Sequence, residues 1–249
     1  MNIVRLLTET LENLRRNRAT VMAYMAAVAA MSLLFRVGGF LLGDYSGEDV
    51  VSAGVYAASL VMDLTLAGLY AALQAVAFAA IGRDIDRPLW KCAGAAEALR
   101  RFFLPWFIIN LGILALARIQ LRAAMFDMPD LVMLLELCLM TAYCLAVPTG
   151  ACIMFYGALE WREMGSILAP IGRRFGLVWV VLLINFGQFV VSRAAVLSGA
   201  PAGLEIIPAR ALLDAALAMV DCFVFAAIWM ICQIHRNEAP ATDNDDFEW

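Results

Sequence analysis

The sequence predicts an all-α fold: a polytopic membrane helix bundle with six transmembrane helices in three hairpins and amphipathic interfacial helices on the cytoplasmic side. Three observations predict it. Six long apolar stretches, each broken by only one or two charges, run roughly Ala19–Gly43, Val50–Gly82, Phe102–Gln120, Leu131–Leu159, Phe175–Ser198 and Ala211–Ile234. A helix needs about 20 apolar residues to cross a bilayer, and each stretch has that reach. The apolar share of 63% and the mean hydropathy of +0.81 stand far above those of a soluble domain. Basic residues, finally, segregate to alternate loops.

That segregation sets an orientation. Loops on the N-terminal side carry Arg5, Arg15, Arg16, Arg18, Arg83, Arg87, Lys91, Arg100, Arg101, Arg162, Arg173, Arg174 and Arg236, which is 13 of the 18 basic residues. The opposite loops carry Asp44, Glu48, Asp49, Asp127, Asp130 and Glu205, with Arg122 and Arg210. Positive loops stay inside during insertion, so both termini are expected in the cytoplasm of a bacterial inner membrane.

With 249 residues and short loops the chain reads as one domain. Residues 1–18 form an interfacial helix, 19–235 the six-helix transmembrane domain, and 236–249 an acidic disordered cytoplasmic tail. In the first segment Ile3, Leu6, Leu7, Leu11 and Leu14 share one helical face, with Arg5, Glu9, Glu12, Arg15 and Arg16 largely on the other. The apolar run that follows is about 25 residues, longer than a signal core, and reads as a retained first span.

A unit recurs three times. Ile3–Arg16, Leu89–Arg101 and Met164–Arg174 each end in a double arginine and precede an outgoing span. The second and third are less amphipathic, because alanines dilute one and Pro170 interrupts the other. Beyond each pair an arginine recurs inside the apolar stretch, at Arg36, Arg118 and Arg193. The returning spans supply Asp63, Glu136 and Asp214. The repeat is one of spacing and charge rather than of residue identity.

A charge within a span costs about 2.5–3.5 kcal/mol, so these groups must meet one another or water. Two arrangements satisfy this. In one, Arg36, Asp63, Arg118, Glu136, Arg193, Asp214 and Asp221 line an outward-facing polar cavity whose arginine forks grip an anionic headgroup or solute. In the other, each hairpin pairs internally: Arg36 with Asp63, Arg118 with Glu136, Arg193 with Asp214. Asp221 has no arginine at matching depth in its own hairpin, which makes it the best single candidate for a functional carboxylate, although Gln188, Gln74 or Asn185 would also satisfy it by hydrogen bonding. Pro148, inside the fourth span, marks either a hinge or a tolerated kink.

Soluble chemistry finds no motif. There is no phosphate-binding glycine loop, no H-E-x-x-H and no G-x-S-x-G, so no catalytic residue is assigned. Six cysteines without C-x-x-C spacing and a single histidine, His235, argue against a metal centre or bound cofactor. Asp84 and Asp86 read as parts of a charge-balanced loop. The basic residues follow topology and do not mark nucleic-acid binding.

The three segments ending Arg15-Arg16, Arg100-Arg101 and Arg173-Arg174 give the chain a layout that resembles the YciC-type bacterial inner-membrane proteins and the related membrane domain attached to some glycerophosphodiester phosphodiesterases. The resemblance is architectural and implies a six-span membrane component handling lipid or organising the envelope, without the phosphodiesterase activity, whose domain is absent here. The layout is also similar to six-span permease subunits of ABC exporters. That similarity implies an ATPase partner docked on a coupling segment containing Arg83, Asp84, Asp86, Arg87, Arg100 and Arg101. The expected partners are therefore the lipid bilayer and, on the second reading, an ATPase subunit.

Overall fold

The structure, a computed structural model, describes residues 2–45, 53–85, 94–157, 164–197 and 206–238. Among these residues lie nine helices and no strand: α1 (Ile3–Arg16), α2 (Arg18–Tyr45), α3 (Ala53–Ile85), α4 (Ala95–Met125), α5 (Pro129–Tyr156), α6 (Met164–Ile167), α7 (Ala169–Arg173), α8 (Phe175–Leu197) and α9 (Ile207–Glu238). Six of them (α2, α3, α4, α5, α8 and α9) are long and apolar enough to cross a membrane. This is a multi-pass membrane protein with an all-helical bundle. The tail from residue 239 onward, Asp86 and Arg87 lie outside the described residues.

Local chemistry sets the helix ends. The Asn2 side chain accepts from Val4 N at 2.9 Å and caps α1. Asn17 separates α1 from α2, so the amphipathic helix ends where the continuous apolar run begins. Between α4 and α5 the chain reverses over three residues, with Asp127 at φ 52°, and Pro129 opens the next helix where a missing N–H costs nothing. Gly157 ends α5 at φ 72°, a left-handed cap that suits a residue without Cβ.

The expected three amphipathic units diverge in form. The first is the helix α1. In the second, residues 89–93 lie outside the described part and Ala95–Arg101 is simply the start of α4, continuous with the span. The third is split into α6 and α7 by the turn at Leu168, with buried Pro170 in the first turn of α7. Pro105 and Pro148, by contrast, are accommodated inside α4 and α5, both buried.

The long helices are neighbours in chain order and close on themselves: α2 against α3, α3 against α4, α4 against α5, α5 against α8, α8 against α9, and α9 against α2. Helix α9 leans inward and also touches α3 and α5. From Val224 to Cys232 every residue of α9 is buried, so this half of the helix is the axis of the bundle. Around it stand aromatic rings. Phe78 stacks on Phe225 at 4.5 Å, and Trp106, Tyr24, Trp229 and Phe155 extend the cluster through tilted and edge contacts. The α1 helix docks on the same end of α9, burying Leu6 and placing Thr10 and Asn13 against the Met230 sulfur. This is the basal end of the bundle, and the α4–α5 turn marks the distal end. The outer faces carry exposed Leu34, Val61, Leu104, Leu137, Leu183 and Leu212, an apolar girdle suited to lipid.

One close approach in the core is sensitive to a single methyl group. A Cβ at Gly150 would fall against the six-membered ring of buried Trp106, whereas one at Gly112 meets nothing within 4 Å. Gly112→Ala should raise the thermal midpoint through better helix propensity. Gly150→Ala should lower it, by about 1–3 kcal/mol of overpacking, when the two are compared by thermal unfolding in one detergent.

Candidate functional site

Three ion pairs bind the bundle at its seams. Arg36 of α2 holds Asp214 of α9 at 2.9 Å, with Ser32 accepting from Arg36 at 3.0 Å and donating to Asp214 at 2.5 Å. Arg118 of α4 donates to Asp63 of α3 through Nε at 2.6 Å and again through Nη2. Arg193 of α8 forks onto both carboxylate oxygens of Glu136 of α5, Nε to Oε1 at 2.8 Å and Nη2 to Oε2, while the Gln120 amide also donates to Glu136. All six side chains are half-buried between helices.

None of these pairs is the one expected within a hairpin. Each arginine takes the carboxylate of the preceding hairpin, and the first takes that of the third, so the pairing closes cyclically. The physical reason is that all three arginines and all three acids stand at similar depth. Depth alone cannot choose a partner; the rotation of each helix does, and it turns the acid of a returning helix toward the next outgoing one. The seven charges expected on one outward cavity are also distributed differently among the described residues: Asp214 and Asp221 border one cavity, and Glu136 and Arg193 border another.

A smaller cavity of about 210 Å³ lies between the helices, bordered by groups from all six. Its polar wall comprises Tyr70, Gln74, Asn110, Tyr143, Gln188, Ser192, Asp214 and Asp221. Gln188 Nε2 donates to Asp221 Oδ1 at 2.7 Å, to the Leu217 carbonyl at 3.1 Å and to the Tyr143 hydroxyl at 3.1 Å. Among the described residues its Oε1 is buried with no hydrogen-bond partner, as are Tyr24 Oη and Asn185 Oδ1. Of the seven candidate residues, then, Asp214 and Asp221 face this cavity. Glu136 and Arg193 border a separate groove at the distal end, beside Met128 and Met133.

The remaining candidates fall elsewhere. Arg83 and Asp84 close α3 at the basal end, where Asp84 accepts from Asn17 at 2.9 Å and so ties α3 to the α1–α2 junction. Arg100 and Arg101 are exposed on the first turns of α4. The buried thiols Cys152 and Cys232 lie 3.5 Å apart across α5 and α9.

The structure also exposes a repeat that charge spacing alone passes over. Ile-Asn-x-Gly-x5-Arg occurs twice, as Ile109–Arg118 in α4 and Ile184–Arg193 in α8. Both asparagines cross the seam that their arginine crosses: Asn110 Nδ2 donates to Gln74 Oε1 at 2.6 Å, and Asn185 Nδ2 to the Cys144 carbonyl at 2.8 Å. On the returning helices, the residue seven positions after each acid is Tyr70, Tyr143 and Asp221, and all three border the cavity. Seven residues carry the chain about 10 Å deeper. Asp221 thus stands where the other two hairpins place a tyrosine.

In comparisons with known proteins, no family model matches the chain, and neither do curated proteins or solved structures.

The seam pairs make a sharp distinction between partners. Exchanging Arg193 and Glu136 (Arg193→Glu with Glu136→Arg) should recover most of the stability lost in either single reversal, with a coupling of about 1–3 kcal/mol. Exchanging Arg193 and Asp214 should recover none. Thermal unfolding of the purified variants reads both.

Proposed function

We propose that this protein is a non-catalytic component of a bacterial cytoplasmic membrane, with both termini in the cytoplasm, that handles a small amphipathic or polar ligand in its interior. The observation that carries the reading is the central cavity. Its wall holds hydrogen-bonding groups from five helices, including two carboxylates, beside a largely apolar core. Polar groups at such depth are costly, and intramembrane ionisable residues concentrate at ligand and ion pathways. Orientation is supported by the basal end, where Arg15, Arg16, Arg83, Arg100, Arg101, Arg173 and Arg174 gather. The likeness in layout to the YciC-type proteins belongs to this proposal, and so does the wider role of organising the envelope through lipid contacts.

A second reading is a permease subunit working with a separate ATPase. It is favoured by one feature: exposed Arg83, Arg100 and Arg101 lie on neighbouring helix ends, α3 and α4, where a soluble partner would reach them.

Purification in native-lipid nanodiscs tests both. Mass spectrometry should find a small compound retained by the wild type and depleted several-fold in Ala146→Leu, which fills the cavity wall. Equal recovery from both proteins would remove the interior-ligand reading. A stoichiometric co-purifying ATPase would install the second one.

A further inference from the structure

We infer that the central cavity is a site for a small organic monocation with N–H donors, a primary ammonium, seated on Asp221. The inference rests on the interior-ligand reading above and names the chemistry of that ligand.

Charge comes first. Four acids stand within the spans, and three of them (Asp63, Glu136 and Asp214) are bonded to arginines. Asp221 has no arginine or lysine partner among the described residues; its hydrogen-bond partner is the neutral amide of Gln188. The repeat shows that a carboxylate is not needed here for packing, since Tyr70 and Tyr143 occupy the equivalent positions. The third hairpin therefore departs from its own pattern to place an acid on the cavity wall.

Hydrogen bonding points the same way. Asp221 Oδ1 and the Leu217 carbonyl are both acceptors, so the Gln188 nitrogen must be the atom facing them. Asp221 thus takes a neutral N–H on Oδ1, and no other hydrogen bond to it is seen among the described residues, which leaves its second oxygen as an acceptor. Asp221 borders the cavity, so an ammonium seated there can satisfy that oxygen and its charge. An anion would face the carboxylate, and a purely apolar guest would leave that oxygen unmet. The cavity, about 210 Å³, exceeds the roughly 150 Å³ that suffices for benzene, so it has room for a short carbon chain beside the cationic head.

The test titrates the purified full chain in lipid nanodiscs with n-butylammonium chloride, and in parallel with sodium butyrate, 1-butanol and sodium chloride. Calorimetry should show saturable binding of n-butylammonium, at least tenfold tighter than any of the other three. Asp221→Asn, which keeps size and hydrogen bonding, should weaken it tenfold or more at an unchanged ligand-free thermal midpoint. Should that variant fail to fold, Ala146→Leu serves in its place, with binding lost while Asp221 is intact. Undiminished binding in the folded variant, or no saturation in the wild type, overturns the inference. Tighter binding of butyrate or butanol, or of sodium alone, also overturns it but leaves an interior ligand standing. If no probe binds and no native compound is retained, both readings fall.

Discussion

A guanidinium or carboxylate in the hydrocarbon region costs several kcal/mol unless it meets its opposite, and this bundle carries three of each at similar depth. Their pairing therefore constrains everything near them. Six helices in a closed ring have six seams. Three join the two helices of one hairpin, which the chain already links, and the other three have no such link at the distal end. The ion pairs occupy those unlinked seams: α3 with α4, α5 with α8, and α9 with α2. What the polypeptide does for one half of the ring, electrostatics does for the other.

The two ends of the bundle are built on different principles. At the basal end α9 runs down the axis, and Phe78, Trp106, Phe225 and Trp229 pack around it. Toward the distal end α9 can no longer fill the centre with apolar bulk, because its residues there include Asp214 and Asp221. The cavity is the result. Its place, between a filled aromatic base and the seam pairs, follows from where along α9 the buried run of Val224–Cys232 begins. The arginines serve closure, which leaves Asp221 as the carboxylate on the cavity wall without a guanidinium partner among the described residues.

Much of this was legible in the residues. The six spans, the hairpin order and the α1 helix follow from apolar length and helical periodicity, and Asp221 stands apart as the acid with no arginine at matching depth in its own hairpin. The repeat was visible as charge spacing, and the Ile-Asn-x-Gly-x5-Arg match in α4 and α8 was available to a closer alignment. Choosing ion-pair partners was not. Arg193 has Glu136 and Asp214 at comparable depth on either side, and a period of 3.6 residues does not reveal which way α8 is turned. The segment before α4 shows the same limit: Ala95–Arg101 is continuous with its span, and such a helix has the same local periodicity as one lying across the span's end.

Sequence by itself therefore determined the membrane class, the number of helices that can cross and the depth of every intramembrane charge, because these depend on length and composition along one chain. Tertiary structure decided the rotation of each helix about its axis. That rotation selected inter-hairpin over intra-hairpin pairing and gathered Tyr70, Tyr143, Gln188 and Asp221 from four helices onto one cavity wall. Rotation is a property of packed neighbours, fixed by side chains distant in sequence, and no local pattern encodes it.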